Sequence, residues 1–147
     1  MYKIKTFEGF NLLNIFKKKK DGIEEPGVCL TVTEYNRILD EAKKTDTQFS
    51  EKMLENYIKE IVVAFERGDE KLFQRLSKFF SFSKSEDNKC YVVETYIRIY
   101  DNYTKDILFL KSKGFKINLY EDGSLFIFFK VPISEKNNKF ETNSNFR

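Results

Sequence analysis

The sequence predicts an α+β domain in which about four helices pack on a small antiparallel sheet built around a C-terminal β-hairpin. Apolar residues recur every three or four positions in four segments between residues 33 and 113, which is typical of helices buried along one side. Asp122 and Gly123 separate two apolar stretches, and this dipeptide is a strong hairpin signal. The α+β class is therefore predicted from helical periodicity in four segments and a hairpin that follows them.

The chain has 147 residues, which is enough for one domain with a sizeable core. We expect residues 1–133 to form this domain, with a basic arm and linker over residues 1–27. Residues 134–147 are rich in Asn, Lys and Ser, a composition typical of a disordered tail. The sequence thus predicts a single globular unit with a polar extension at its C-terminal side.

The N-terminal arm combines an alternating segment with a run of lysines. Residues 2–7 alternate as an edge strand does, and the apolar segment that follows ends in Lys17, Lys18, Lys19 and Lys20. One interpretation is an apolar segment docked on the body and followed by a solvated lysine loop. The other is an amphipathic arm that contacts nucleic acid or lies on a membrane surface.

Three helices are predicted between residues 33 and 81, and residues 28–32 fit a short strand before them. Thr33 has the character of an N-cap for the first helix, and Asp46 or Thr47 starts the second. Gly68 ends the second helix, and Asp69 caps the third. The third helix is expected to run through Phe80.

A fourth helix is predicted over residues 91–113, and Gly114 ends it. Its apolar residues keep the three-four period up to Leu110. Residues 91–99 also alternate, which suits a strand followed by a turn near Asp101 and Asn102. We favour the helix because its period continues without a break.

The hairpin register predicts a surface that something must cover. A two-residue turn at Asp122-Gly123 places Leu125, Ile127 and Phe129 of the second strand on the face opposite the one that packs on the helices. We expect a third strand, a second copy of the chain or a partner protein to cover that face. The candidate partner-binding residues are Leu125, Ile127, Phe129 and Tyr120.

The sequence lacks the residues that several kinds of catalytic and metal-binding site require. The chain has no histidine, which excludes Ser-His-Asp and Cys-His catalysis and histidine metal ligands. Cys29 and Cys90 lie far apart in sequence, so reduced thiols are expected. The glycines form no phosphate-binding loop, and the acidic residues fit solvated helix faces. We therefore predict no catalytic residue, metal site or cofactor, and no enzymatic activity.

These observations favour a small cytoplasmic protein that acts by binding a partner protein, as an inhibitor, antidote or host-takeover factor does. An excess of Lys over Arg and many Asn and Ile residues suggest a low-GC phage or mobile element. The first alternative is a nucleic-acid-binding regulator that uses the Lys17–Lys20 run and the hairpin. The second is peripheral membrane binding through residues 10–20. Homodimerisation is a further option, and no integral membrane segment is expected.

Overall fold

The computed structural model describes residues 27–99 and 101–141, and within them the predicted α+β class is confirmed. Helices cover one face of a four-stranded antiparallel sheet with strand order β1-β2-β4-β3. The helical elements are α1 (Val32–Lys44), α2 (Gln48–Met53), a π-helical segment (Leu54–Ile58), α3 (Lys59–Arg67), α4 (Glu70–Leu76) and α5 (Thr104–Ser112). The strands are β1 (Phe80–Lys84), β2 (Cys90–Arg98), β3 (Lys116–Leu119) and β4 (Ser124–Pro132).

Side-chain caps define where two helices begin. Glu34 N donates to Thr31 Oγ1 at 3.1 Å, so α1 is capped by Thr31 and not by the predicted Thr33. Leu72 N donates to Asp69 Oδ1 at 3.1 Å, which confirms Asp69 as the cap of α4. Each cap satisfies a backbone N–H that has no partner within its helix.

The segment from α2 to α3 is helical throughout, with a π turn at its centre. Lys59 N donates to Leu54 O across this wider turn, and the Tyr35 hydroxyl donates to the same carbonyl at 2.6 Å. Tyr35, Leu54 and Ile58 are all buried. The π turn therefore anchors α1 to the continuous helical segment from α2 to α3, which the sequence predicts as a single second helix.

The predicted helix over residues 91–113 is wrong, because its first part is strand β2 and only its last part is helix α5. Alternate residues of β2, including Tyr91, Val93 and Thr95, are buried against the helices. The turn lies where the alternative placed it, and Thr104 N donates to Asn102 Oδ1 at 3.0 Å there. The apolar residues of this segment alternate and several of its side chains are β-branched, and both features favour a strand.

The third predicted helix also ends earlier than expected, at Leu76. Phe80 and Phe82 belong to β1, and both point into the core. Their rings lie 5.9 and 5.5 Å from the ring of Phe65, which also contacts Phe73. This aromatic cluster joins the end of the helical layer to the sheet.

The hairpin has a three-residue loop instead of the predicted two-residue turn. Tyr120 N donates to Ser124 O at 2.9 Å, and Gly123 takes a left-handed φ of 89°. Ile117 consequently pairs with Ile127, and the register differs by one residue from the prediction. Because a one-residue shift exchanges the two faces, Ile127 points to the helices and its neighbours point away.

Strand β4 is an interior strand, as its apolar sequence predicted. β2 pairs along one edge, and β3 pairs along the first half of the other. Beyond β3, Leu30 N donates to Lys130 O and Lys130 N donates to Val28 O, both at 2.7 Å. The predicted strand at 28–32 is therefore reduced to one parallel bridge between Cys29 and Lys130.

Residues 134–141 pack on the body, so the predicted tail does not begin at 134. Asn137 is 1% exposed, and its Nδ2 donates to Phe65 O at 2.8 Å and to Pro132 O at 3.0 Å. The Phe140 ring stacks on Phe73 with centroids 3.9 Å apart. The rest of the predicted tail, the strand at 2–7 and the basic arm up to residue 26 lie outside the described residues.

Candidate interaction surface on the outer face of the sheet

The structure separates the four predicted partner-binding residues. Leu125, Ile127 and Phe129 are 0% exposed and lie in the core beneath the helices. Tyr120, at the hairpin loop, is 51% exposed. Contact with a partner through the first three would require the sheet to separate from the helices, whereas Tyr120 is accessible in the folded protein. The predicted contact run Lys17–Lys20 lies outside the described residues.

The residues between the buried positions form the opposite face, which we call the outer sheet face. Strand register places Tyr96, Phe126 and Asn118 in one row across β2, β4 and β3. The next row places Glu94 beside Phe128, with Lys116 beyond it. The outer sheet face comprises Val92, Glu94, Tyr96, Lys116, Asn118, Phe126, Phe128 and Lys130.

Aromatic rings dominate this face near the hairpin loop. The ring centroids of Tyr96 and Phe126 lie 5.1 Å apart. The rings of Tyr120 and Phe126 form a T-shaped contact with their centroids 5.6 Å apart. In the adjacent row, Lys116 Nζ lies 5.5 Å from the centre of the Phe128 ring. Phe126 and Phe128 are half-buried, while Tyr120 is exposed. Partly exposed aromatic residues of this kind are enriched where proteins bind one another.

Asn118, which lies in the same row as Tyr96 and Phe126, has a side-chain oxygen that accepts no hydrogen bond from any residue that the structure describes. Its side-chain oxygen is buried and, among the described residues, is the side-chain polar atom recorded without a hydrogen-bond partner. Leaving a buried acceptor unpaired costs about 1–3 kcal/mol. The face therefore combines apolar contact area with an acceptor that lacks a donor.

Charges of both signs border the aromatic rings. Arg98 Nη2 lies 3.6 Å from Asp122 Oδ2, at the loop end of the sheet. Hydrogen bonds from the Ser124 side chain and backbone hold the pKa of Asp122 below its usual value, so this carboxylate stays charged. Hydrogen bonds with Ser124 and Arg98 lower the pKa of Tyr96. This rim can orient a polar partner around the apolar centre.

Glu94 lies within the face and not at its rim. It is 6% exposed, and Ser81 Oγ donates to its Oε1 at 3.4 Å. Its strand neighbour on β4 is Phe128. The outer sheet face thus contains a carboxylate beside its aromatic rings, in addition to the amino groups of Lys116 and Lys130.

Metal-ligating side chains do not cluster in the described part of the chain. Across residues 27–99 and 101–141, no three His, Cys, Asp or Glu side chains lie close enough to hold a metal ion. A cavity of about 100 Å³ is lined by the apolar residues Leu30, Val62 and Val131, with Glu66 at its edge. Glu66 Oε1 already accepts a hydrogen bond from Val32 N at 2.8 Å. This cavity has room for only a few non-hydrogen atoms.

No helix in these same ranges is long and apolar enough to cross a membrane. No protein family, curated protein or solved structure matches the chain, so geometry alone supports a functional proposal.

Sequence reasoning missed Phe126 and Phe128 because the assumed turn was one residue too short. A signal for them is present in β3, where apolar Ile117 and Leu119 alternate with polar Lys116 and Asn118. Pairing the apolar residues of β3 with Leu125 and Ile127 gives the observed register and turns both phenylalanines outward.

Proposed function

We propose that this chain is a non-enzymatic protein that acts by binding a partner protein through the outer sheet face. The observation that carries the proposal is the row of aromatic rings formed by Tyr96, Phe126 and the 51% exposed Tyr120. A partner surface that places an apolar group over these rings would fit this arrangement. Buried aromatic anchors surrounded by polar residues are the usual energetic centres of protein interfaces.

The exposed side of α1 is a weaker candidate. Arg37 forms ion pairs with Glu34 and Glu41 at 2.5 and 2.9 Å, so these charges are matched within one helix. Exposed pairs of this kind contribute little free energy to stability or binding. The outer sheet face differs because contact with another surface would remove the exposed area of its aromatic rings from water, which is favourable.

The charge pattern favours a protein over a nucleic acid as the partner. Lys116 and Lys130 contribute positive charge to the outer sheet face, but Glu94 and the nearby Asp122 contribute negative charge. A surface that holds the phosphate backbone usually has a continuous basic stripe. Within the protein-binding class, we infer a cytoplasmic inhibitor or antidote of a phage or mobile element, because the Lys- and Asn-rich composition suits a low-GC genome and the sequence has no histidine for general-base catalysis.

Tyr120 and Tyr57 provide a matched pair for the test, being 51% and 45% exposed in different layers of the fold. Tagged full-length chain is used to capture proteins from a lysate of the source cells, with and without nuclease. We expect a specific protein to be captured by the wild type and by Tyr57→Ala, but not by the double variant Phe126→Ser with Tyr120→Ala. The Kd for that purified protein should rise at least about 30-fold in the double variant, as expected at a binding hot spot.

Two outcomes would overturn the proposal. If both variants capture the same proteins as the wild type, the outer sheet face is not the binding surface. If every captured protein disappears after nuclease treatment, the chain binds nucleic acid, and the lysine-run hypothesis replaces this one. Circular dichroism of each variant confirms that a lost interaction does not reflect unfolding.

A further inference from the structure

The fold brings together the two cysteines, which the sequence separates by 61 positions. Cys29 Sγ and Cys90 Sγ lie 3.9 Å apart, and both thiols are free. Cys90 begins β2 on the same side of the sheet as Val92, and Cys29 pairs with Lys130. Both side chains therefore lie at the end of the outer sheet face that is farthest from the hairpin loop.

We propose that Cys29 and Cys90 form a redox-active dithiol, which a small-molecule disulfide converts into an intramolecular disulfide. This site is independent of the proposed partner protein. Cys29 is exposed and Cys90 is partly buried, so Cys29 meets the reagent first. The Cys90 thiol, 3.9 Å from Cys29 Sγ, is then in place to complete the exchange.

The exchange takes two steps and balances without a further reactant. The Cys29 thiolate attacks one sulfur of the small disulfide, which breaks that S–S bond and releases one small thiol. The Cys90 thiolate then attacks Cys29 Sγ, which forms the protein disulfide and releases the second small thiol. The two protein thiols lose two electrons and two protons, and the small disulfide gains them as it becomes two thiols.

Closing the bond requires a local movement, and the structure indicates which side moves. The sulfur atoms must approach by about 1.9 Å to reach the S–S length of about 2.05 Å. Cys29 and β2 flank β4 from opposite sides, so their backbones lie about two strand spacings, roughly 9.5 Å, apart and the bond must reach over β4. A disulfide spans a Cα–Cα separation of at most about 7 Å, so the backbone must move as well as the side chains. Residues 28–30 are held to β4 by two backbone hydrogen bonds, whereas Cys90 is fixed in a nine-residue strand. We therefore assign the movement to residues 28–30, toward β2.

The test treats folded wild-type protein with oxidised glutathione and measures the intact mass after quenching with acid. We expect a product lighter by two hydrogens and free of glutathione. Cys29→Ser and Cys90→Ser serve as controls, and each should stop at a mixed disulfide with one glutathione. The equilibrium constant for ring closure should be at least about tenfold higher in the folded protein than in urea, because folding holds the thiols together.

A second measurement reports the movement. Amide hydrogen exchange at Leu30 and Lys130 should become faster in the oxidised protein, since both N–H groups belong to the bridge that must shift. The proposal is overturned if the folded wild type accumulates mixed disulfides or disulfide-linked dimers. It is also overturned if ring closure in the folded state has no advantage over closure in urea.

Discussion

Asp106 caps α2 from a position 56 residues further along the chain. Its Oδ1 accepts a hydrogen bond from Ser50 N at 2.7 Å and another from Ser50 Oγ at 3.0 Å. Thr47, the residue at the N-cap position, makes no side-chain cap bond of its own. Asp106 is buried, so this contact fixes α5 against the start of α2 and places a carboxylate at the positive end of that helix.

Replacing Asp106 by Ala should lower the free energy of unfolding by about 2–3 kcal/mol. The change removes a charge-assisted cap and leaves Ser50 N buried without an acceptor. Urea denaturation followed by circular dichroism measures the loss. Asp40→Ala, at an exposed position of α1, should change stability by less than about 0.5 kcal/mol. An Asp106→Ala variant as stable as the Asp40→Ala control would show that the cap is not formed.

Adjacent residues of β4 should respond oppositely to a charge. Ile127→Asp puts a carboxylate into the core and should abolish cooperative thermal unfolding. Phe126→Asp puts the same group on the outer sheet face, between Tyr96 and Asn118, and should leave a folded protein. Differential scanning calorimetry distinguishes them. If Ile127→Asp folded and the outer-face variant did not, the hairpin would have the register of a two-residue turn.

Asn137 and Asn138 test the packing of the segment after β4. Asn137→Ala removes hydrogen bonds to Phe65 O and Pro132 O, and should cost about 1–3 kcal/mol because both carbonyls lose a buried donor. Asn138 is exposed, and Asn138→Ala should be nearly neutral. Equal midpoints of urea unfolding for the two variants would contradict the docking of residues 134–141.

The Cys29 thiol should react slowly at neutral pH. Cys29 is exposed as a residue, but desolvation of its sulfur and the adjacent Cys90 raise the pKa of Cys29 to about 11, so exchange with a small disulfide should be slow at pH 7 and faster in alkaline buffer. The rate of alkylation by iodoacetamide at Cys29, followed by peptide mass mapping, should rise about tenfold for each pH unit between 7 and 10. A rate that levels off near pH 8.5, the range of an ordinary thiol, would disprove the raised pKa.

Local chemistry in the sequence predicted much of the fold. Asp69 and Gly68 mark a helix boundary through rules that involve neighbouring residues only, and the structure follows them. Residues 91–99 satisfy two periods at once, so their structure depends on whether β4 is available to pair with them. That pairing is a long-range contact, which a local pattern does not reveal.

The candidate site was less accessible to prediction than the fold. Tyr120 was predicted from alternation along the first hairpin strand, on the same face as Lys116 and Asn118, and this assignment does not depend on the length of the loop. Phe126 and Phe128 were missed because the face of each strand residue depends on the length of the loop. The proximity of Cys29 and Cys90 requires both flanks of β4 to be in place, and no spacing in the sequence indicates it.

The position of β4 between β2 and residues 28–30 has a consequence for synthesis. Residues 28–30 leave the ribosome long before β4, yet their backbone partner is Lys130. β2 also waits for β4, because its longest pairing is with that strand. Contacts so distant in sequence slow folding and prolong the exposure of apolar surface. We therefore expect nascent chains that stop before residue 124 to remain protease-sensitive and to require chaperones.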